Sequence, residues 1–400
     1  MSSDLLAHFQ ALDSWLHQHQ PLWRPRPFTA LSLDWEAELP ELALWLRSRS
    51  LEQAEAAHNQ PHLLHAPEPF QQLASQSLAL TQLPDLRAPV PSPVPEILSR
   101  HIPGRKWQQI SYFAATLTRQ WTTAPNHWLD WCAGKGHLGR LLAWQGGQPL
   151  ICLERDVALN LEGAKLGQLS GVSSQHLDAD VLTDQAWRHL QPGHSVVALH
   201  ACGQLHMTLL EQAARRQCVQ LALSPCCYNR ISTETYQPLS AAARRGQLQL
   251  SRDDLGLPMQ ESITAGQRTR RLRDQSMAWR LAFDLWQRQA RNTDDYLPTP
   301  SRPESAMQLG LRDFCLDLAA HHDLQMTEPA DWTELEQKGW QRLAQVRNLE
   351  LLRGLFRRPL EVWLLLDRAL YLQEAGYQVQ AGEFCDYQLT PRNLLLLAEK

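Results

Sequence analysis

The stretch HWLDWCAGKGHLGRLLA (residues 127–143) limits the fold of this 400-residue chain more than any other. Trp128 and Leu129 read as an apolar strand that ends in an acid, Asp130. The small residues Ala133, Gly134 and Gly136 follow, and an apolar-periodic segment opens at His137–Leu138. Backbone approaches a ligand closely only where a side chain is missing or small, which this turn supplies. A strand, a glycine turn and a helix N-terminus in succession make the nucleotide site of an open α/β sheet. The alternative, a plain strand–turn–helix without a ligand, leaves the cluster of small residues without a reason.

Two ligands fit the spacing. Gly134 to Gly139 (GKGHLG) has the form of the dinucleotide fingerprint G-x-G-x-x-G, and Glu154 follows twenty positions after Gly134. S-adenosylmethionine (SAM) is bound by the same kind of turn, and Asp130 favours it. A carboxylate at the mouth of the first strand repels a pyrophosphate but suits the ammonium and sulfonium charges of SAM. A nicotinamide or flavin dinucleotide is the rival. The residues assigned to the cofactor are Asp130, Cys132, Ala133, Gly134 and Gly136 in the turn, then Glu154, Asp180 and His200 at later strand ends.

Those later strands follow in order. PLICLERD (149–156) is a buried strand finishing in Glu154, an acid placed to accept from both ribose hydroxyls. VSSQHLDADVLT (172–183) is a third strand, with Asp180, or else Asp178, positioned for an adenine amino group. SVVALH (195–200) and CVQLAL (218–223) are the fourth and fifth. The last 25 residues hold two strands, about 377–386 and 392–399, too close together for a crossover helix, so they pair antiparallel. The expected fold class is α/β: a class I, Rossmann-like methyltransferase sheet with a terminal antiparallel hairpin. A helical N-terminal domain and a helical insertion are added to it.

The boundaries follow from composition. Residues 1–98 form an N-terminal domain that reads as helical over 1–82, with Leu5, Leu6, Phe9, Leu12 and Leu16 at helical spacing. Pro84, Pro89, Pro91, Pro93 and Pro95 then suggest a stiff extended linker. Residues 99–231 and 356–400 form the SAM-binding domain, and 232–355 a mostly helical insertion. No apolar run approaches the ~20 residues of a membrane span, and the N-terminus lacks a basic signal-peptide region. Eight cysteines without a C-x-x-C pair suggest free thiols and a cytoplasmic location.

The strand tips carry the candidate chemistry. His200-Ala201-Cys202-Gly203 and Ser224-Pro225-Cys226-Cys227-Tyr228 should meet at one rim, facing the methyl group of the cofactor. Methyl transfer needs an aligned acceptor and a group to take a proton where one leaves. The catalytic candidates are His200 as base, Cys226 and Cys227, and Tyr228 as a stacking surface for a planar acceptor. Each has a plainer role as strand-end packing. His200, Cys202, Cys226 and Cys227 also make a conceivable zinc set, but adjacent cysteines and a one-residue His–Cys gap depart from C-x₂₋₄-C spacing. No metal is expected.

The formal net charge of −4 hides a segregation: −6 over residues 1–98, +8 over 99–293 and −6 over 294–400. A basic middle suits an anionic partner, with RNA (tRNA or rRNA) first in line. Arg105 and Lys106, at the start of a helix preceding the first strand, and Arg268, Arg270 and Arg271 in RTRRLRD are the substrate-binding candidates. Solvated basic surface is the plain alternative for all five. The rival functions are a protein or small-molecule methyltransferase, a non-catalytic SAM-binding scaffold and a dinucleotide oxidoreductase. Oligomeric state is not legible.

DWCAGKGHLGRLL, LERD, LHACGQL, PCCYNR and DRALYLQEAGY, with FCDYQLTPRNLLLLA at the end, also carry a family resemblance. In these pieces the chain resembles the SAM-dependent methyltransferase-domain family related to the methyltransferase-like 25 proteins. That group includes the ribosomal RNA adenine dimethylase domain-containing protein and the glutathione S-transferase C-terminal-domain-containing protein. The resemblance covers about residues 99–230 and 356–400. It implies SAM contacts from Asp130, Gly134, Gly136, Glu154 and Asp180, and it names no acceptor. Cys132 stands where many SAM enzymes have the first glycine of the turn.

Overall fold

The computed structural model describes residues 2–260 and 267–400. The chain divides into two compact units: Met1–His17, Leu80–Glu261 and Arg358–Lys400 form the first, and Gln18–Ala79 with Ser262–Arg357 the second.

The first unit is built on a seven-stranded sheet. Its strands are β1 (His127–Trp131), β2 (Leu150–Glu154), β3 (Ser174–Asp178), β4 (His194–Ala198), β5 (Gln220–Leu223), β6 (Gln378–Glu383) and β7 (Leu394–Glu399). Their order is β3-β2-β1-β4-β5-β7-β6. β1 to β5 run parallel, while β7 is antiparallel to both β5 and β6. This is the expected class I sheet with its terminal hairpin. β1, β4, β5 and β7 are buried along nearly their whole length, as strands covered on both faces must be.

The longer helices of this unit begin with α1 (Ser2–Gln18), α2 (Gly104–Gln120), α3 (His137–Gly146), α4 (Val157–Leu169) and α5 (Gln204–Arg215). A sixth, α6 (Arg357–Glu374), precedes β6. Ile110, Phe113, Ala114 and Leu117 of α2 and Leu138, Leu141 and Leu142 of α3 share one core with Trp128, Val197, Leu395 and Leu397 of the sheet. At roughly 1.5–3 kcal/mol for each fully buried large side chain, this cluster fixes α2 and α3 against the sheet. α3 ends at Gly147, whose φ of 74° makes a left-handed C-terminal cap.

Two expected boundaries differ. The proline run is not a free linker. Leu86 N–H donates to the Glu383 carbonyl at 3.0 Å and Glu383 N–H to the Pro84 carbonyl at 3.1 Å, so the segment is bound to the end of β6. Leu86 is 6% exposed within the sheet core. Pro84 suits this place because, lacking an N–H, it meets the edge strand without offering a new donor. The start of the expected insertion also belongs with the sheet. The buried Asp367 carboxylate of α6 accepts from Tyr236 Oη at 2.6 Å, Leu239 N–H at 3.0 Å and Ser240 N–H at 2.8 Å. Residues 261–266 lie outside the described residues.

The second unit is helical among the described residues. Helices Gln267–Arg291 and Trp332–Gly354 pack through Ala278, Leu281, Leu343 and Val346. Gly339 permits the close approach, since a Cβ there would stand 2.5 Å from the Ala278 carbonyl. Trp279, Phe283 and Trp286 share a second core with Leu311, Phe314 and Leu318. Among the described residues, no helix is long and apolar enough to cross a membrane.

Candidate functional site

The turn after β1 is shaped by three left-handed residues. Cys132, Gly134 and Gly136 have φ of 59°, 56° and 65°. Cys132 therefore takes a backbone form that a glycine adopts freely, at the place where the motif would have its first glycine. Gly136 has no room for a side chain: a Cβ would lie 2.9 Å from Cys152 Sγ and 2.9 Å from His176 Cε1. At Gly134 a Cβ would meet nothing within 4 Å. Open space therefore stands in front of the turn at that residue.

That space is a cavity of about 360 Å³, within the range of small-molecule sites. Asp130, Cys132, Ala133 and Gly134 line one side. Ile102, Ile110, Leu138, Leu159 and Leu199 give it apolar wall, and Lys106 and His200 add polar groups. Asp130 is 3% exposed, and its Oδ2 accepts the Gly139 N–H at 2.9 Å, one of the unpaired donors of the first turn of α3. Burial pushes the carboxyl up to about 7, and the Glu154 charge adds to the rise. The Gly139 bond, Arg140 and Lys106 act the other way.

Glu154 stands beside the cavity and not in its wall. Its carboxylate accepts from Gly134 N–H at 2.9 Å, Arg155 N–H at 2.8 Å and Asp156 N–H at 3.0 Å, tying the end of β2 to the glycine turn. An ionised carboxylate has about four acceptor positions, so capacity remains. At the end of β3, Asp178 is engaged by Asn160 Nδ2 at 2.6 Å. Asp180 lies in the loop beyond, holding Leu182 N–H at 3.0 Å. Its charge bears on Cys132, whose thiol is raised by burial first and then by Glu154, Asp130, Cys202 and Asp180.

His200 opens into the cavity at the tip of β4. Desolvation, then the Lys106 charge, holds its imidazole down to about 4, so it is neutral at pH 7. The loop carrying it is anchored by a residue that spacing alone did not reveal. His206 Nδ1–H donates to the Ala201 carbonyl at 2.9 Å, and its Nε2 accepts from Arg368 Nε at 2.9 Å. Arg368 is fully buried. A second residue missed in the sequence is His137, which lines the cavity and accepts at Nδ1 from Arg140 Nη2 at 2.7 Å. Its place at the first position of α3 was the available signal.

The tips of β4 and β5 meet as expected. Cys202 and Cys226 form a parallel bridge with their Sγ atoms 3.6 Å apart. The Cys227 thiol is held below the ordinary range, by the Cys226 hydrogen bond first and also by the charges of Arg230 and Arg392. Cys226 is shifted up. Tyr228 is not at the rim. It is 1% exposed, edge-on to His206 at 6.1 Å and under the Arg368 guanidinium at 5.2 Å. An aromatic ring packed on buried Arg368 cannot double as a platform for an acceptor base, so the stacking role is withdrawn. Of the basic candidates, Lys106 lines the cavity, while Arg105 is exposed in the first turn of α2 and does not. Arg268, Arg270 and Arg271 are exposed residues of the second unit.

Residues 105–234 match the model of a methyltransferase domain family. That segment is thereby a methyltransferase domain, and SAM is the cofactor such a domain takes. Among solved structures, the chain is similar to YjhP from E. coli at 14% identity, covering 32% of this chain and 55% of that one, with a TM-score of 0.25. It is similar to an rRNA methylase from Streptococcus thermophilus at 12% identity, over 30% of this chain and 71% of that one, with a TM-score of 0.24. It is similar to the plantazolicin methyltransferase BpumL in complex with SAH at 11% identity, over 43% and 59% of the two chains, with a TM-score of 0.26. The chain thus spans little more than half of the first and third. No acceptor is carried over from any of them.

Proposed function

We propose that the chain is a SAM-dependent methyltransferase of RNA, tRNA or rRNA, acting in the cytoplasm, and that it is akin to the methyltransferase-like 25 group. One observation carries the cofactor site: the buried Asp130 carboxylate in a cavity that opens in front of Gly134. When bound, SAM supplies a methyl group on a cationic sulfonium sulfur. Asp130 attracts the cationic part, Glu154 offers its remaining acceptor capacity to the ribose, and Asp180 serves the adenine edge. The apolar wall excludes water from the remainder. His200, neutral and open to the cavity, takes the proton that the acceptor releases.

The role of His200 sets a pH profile. His200→Ala lowers kcat by about 10²–10⁴-fold, the usual contribution of a general base. Because the imidazole of the folded chain charges only near 4, kcat/KM for the acceptor at saturating SAM stays level from pH 8 to about 5 and falls below that. An unchanged kcat in the variant, or an acid limb that persists in it, removes His200 from the chemistry.

The acceptor half rests on charge. In the +8 middle segment Arg105, Arg268, Arg270 and Arg271 are exposed and open to an anionic partner. Filter binding of tRNA and rRNA fragments against salt is the test. Each phosphate contact on a single strand contributes a slope of about 0.7 in log K against log salt. Replacing Arg268, Arg270 and Arg271 together with alanine therefore flattens the slope by about 2. Binding that ignores salt, or no RNA binding at all, points to a protein or small-molecule acceptor instead. The eight cysteines are all free, which supports a reducing compartment.

A further inference from the structure

We propose that Cys202, Cys226 and Cys227 bind one thiophilic divalent cation, zinc, beside the cofactor cavity, with a fourth coordination position left to an exchangeable ligand. This goes beyond the methyltransferase reading and does not depend on it. The three Sγ atoms lie within 4.8 Å of one another, the one such convergence of metal-ligating side chains found among the described residues. A tetrahedral Zn²⁺ with Zn–S of about 2.3 Å sets its sulfurs about 3.8 Å apart. Cys202 and Cys226 already stand at 3.6 Å.

The backbone holds the three thiols together although their sequence spacing does not suggest it. The β4 and β5 tips are laced by the Cys202–Cys226 bridge and by Gly203 N–H donating to the Cys226 carbonyl at 3.0 Å. Gln204 N–H donates to the Arg230 carbonyl at 2.8 Å, and Arg230 N–H to the Cys227 carbonyl at 2.9 Å. Cys227 has φ of 47°, a left-handed conformation that a side-chain-bearing residue keeps only where its surroundings hold it. Adjacent cysteines reach one centre through that kink. Three thiolates around Zn²⁺ leave a net charge of −1, and Arg230 and Arg392 stand nearby to balance it. Cys202 Sγ is 3.6 Å from the His200 carbonyl, and His200 lines the cavity, so the three thiols stand close to it. Three protein ligands and one free position are the arrangement of zinc sites that take part in chemistry.

The test uses the full chain, purified without a metal-chelating tag, reconstituted with Zn²⁺ and gel-filtered. Elemental analysis is expected to give about one zinc per chain. Co²⁺ in its place should give the near-ultraviolet thiolate-to-cobalt charge-transfer band, and Cys226→Ser should lose both signals. Alkylation of the wild-type chain guards against a variant that fails to fold. Iodoacetamide should label Cys202, Cys226 and Cys227 only after a chelator has removed the zinc. No retained zinc, equal labelling of the three thiols with and without zinc, or a Cys202–Cys226 disulfide in the reduced preparation overturns the proposal. Calorimetry with SAM, run in parallel, keeps the two sites apart: zinc bound without SAM leaves this site standing and the cofactor assignment failed.

Discussion

Asp130→Ala removes SAM binding while the sheet still folds. The carboxylate is the acid in the cavity wall, and it is almost fully withdrawn from water. Truncating one member of a buried, charge-assisted pair costs about 2–5 kcal/mol of affinity, or roughly 30-fold to several thousand-fold. The effect on the fold is smaller because two changes oppose each other. The Gly139 N–H loses its acceptor, at about 1 kcal/mol for a lost cap. Against this, a carboxyl whose ionisation is disfavoured by burial is gone. Asp130→Asn separates the two, since an amide oxygen still accepts from Gly139. Calorimetry should show SAM affinity lost in both variants, and thermal unfolding should show the Asp130→Asn chain at least as stable as wild type at pH 8. Unchanged affinity in either variant ends the cofactor assignment.

The same group gives a pH dependence whose sign follows from its shift. The folded-state value near 7 is raised above the ordinary carboxyl value of 3.8. Between those two values the unfolded chain has released the proton and the folded chain keeps it. The contribution of Asp130 to stability therefore declines as pH rises from about 4 to about 7, and is level above that. Binding runs in the opposite sense. A cation beside Asp130 favours the ionised form, so SAM uptake below pH 7 releases a proton and affinity climbs with pH by up to about tenfold per unit. The carboxylate is thus a burden on the empty neutral-pH fold that the cofactor relieves, as expected of a group kept for binding.

Legibility in the sequence tracked how local the determining physics is. The glycine turn, the acids ending β1 and β2, and the hairpin at the C-terminus are set by residues close in the chain, and each was readable from spacing. The fate of the proline run was not, because Leu86 finds its place by pairing with Glu383, almost three hundred positions away. Tyr228 was misplaced for the same reason: Arg368, which buries it, sits on a helix 140 residues further on. Ligand spacing argues against His200, Cys202, Cys226 and Cys227 as a metal set, but it is a rule for loops that wrap a metal unaided. Here the separation of Cys202 from Cys226 is bridged by two neighbouring strands and not by a loop. His206 carries no motif at all, and only its bonds to Ala201 and Arg368 reveal that it positions the His200 loop.

Gly203→Ala should be among the most damaging single substitutions in the first unit. Gly203 precedes α5 with φ of 51° and ψ of −114°, a combination open to glycine and strained for any residue with a Cβ. An added Cβ would stand 2.2 Å from the Arg230 carbonyl oxygen and 2.7 Å from its carbon. Those are backbone atoms, which no rotamer change can move aside. Relief requires parting the β4 and β5 tips, with the loss of the Gly203–Cys226 and Gln204–Arg230 hydrogen bonds. Backbone strain of about 1–3 kcal/mol and two weakened bonds of about 1 kcal/mol each bring the cost to about 3 kcal/mol or more. For a unit of this size that lowers the unfolding midpoint by roughly 5–10 °C. Gly193→Ala is the internal control: a Cβ there meets nothing within 4 Å, and the residue is not among those with positive φ. Its midpoint should stay at or slightly above wild type, because alanine narrows the unfolded ensemble. Equal midpoints for the two variants would mean that the β4 and β5 tips are not packed as tightly as described.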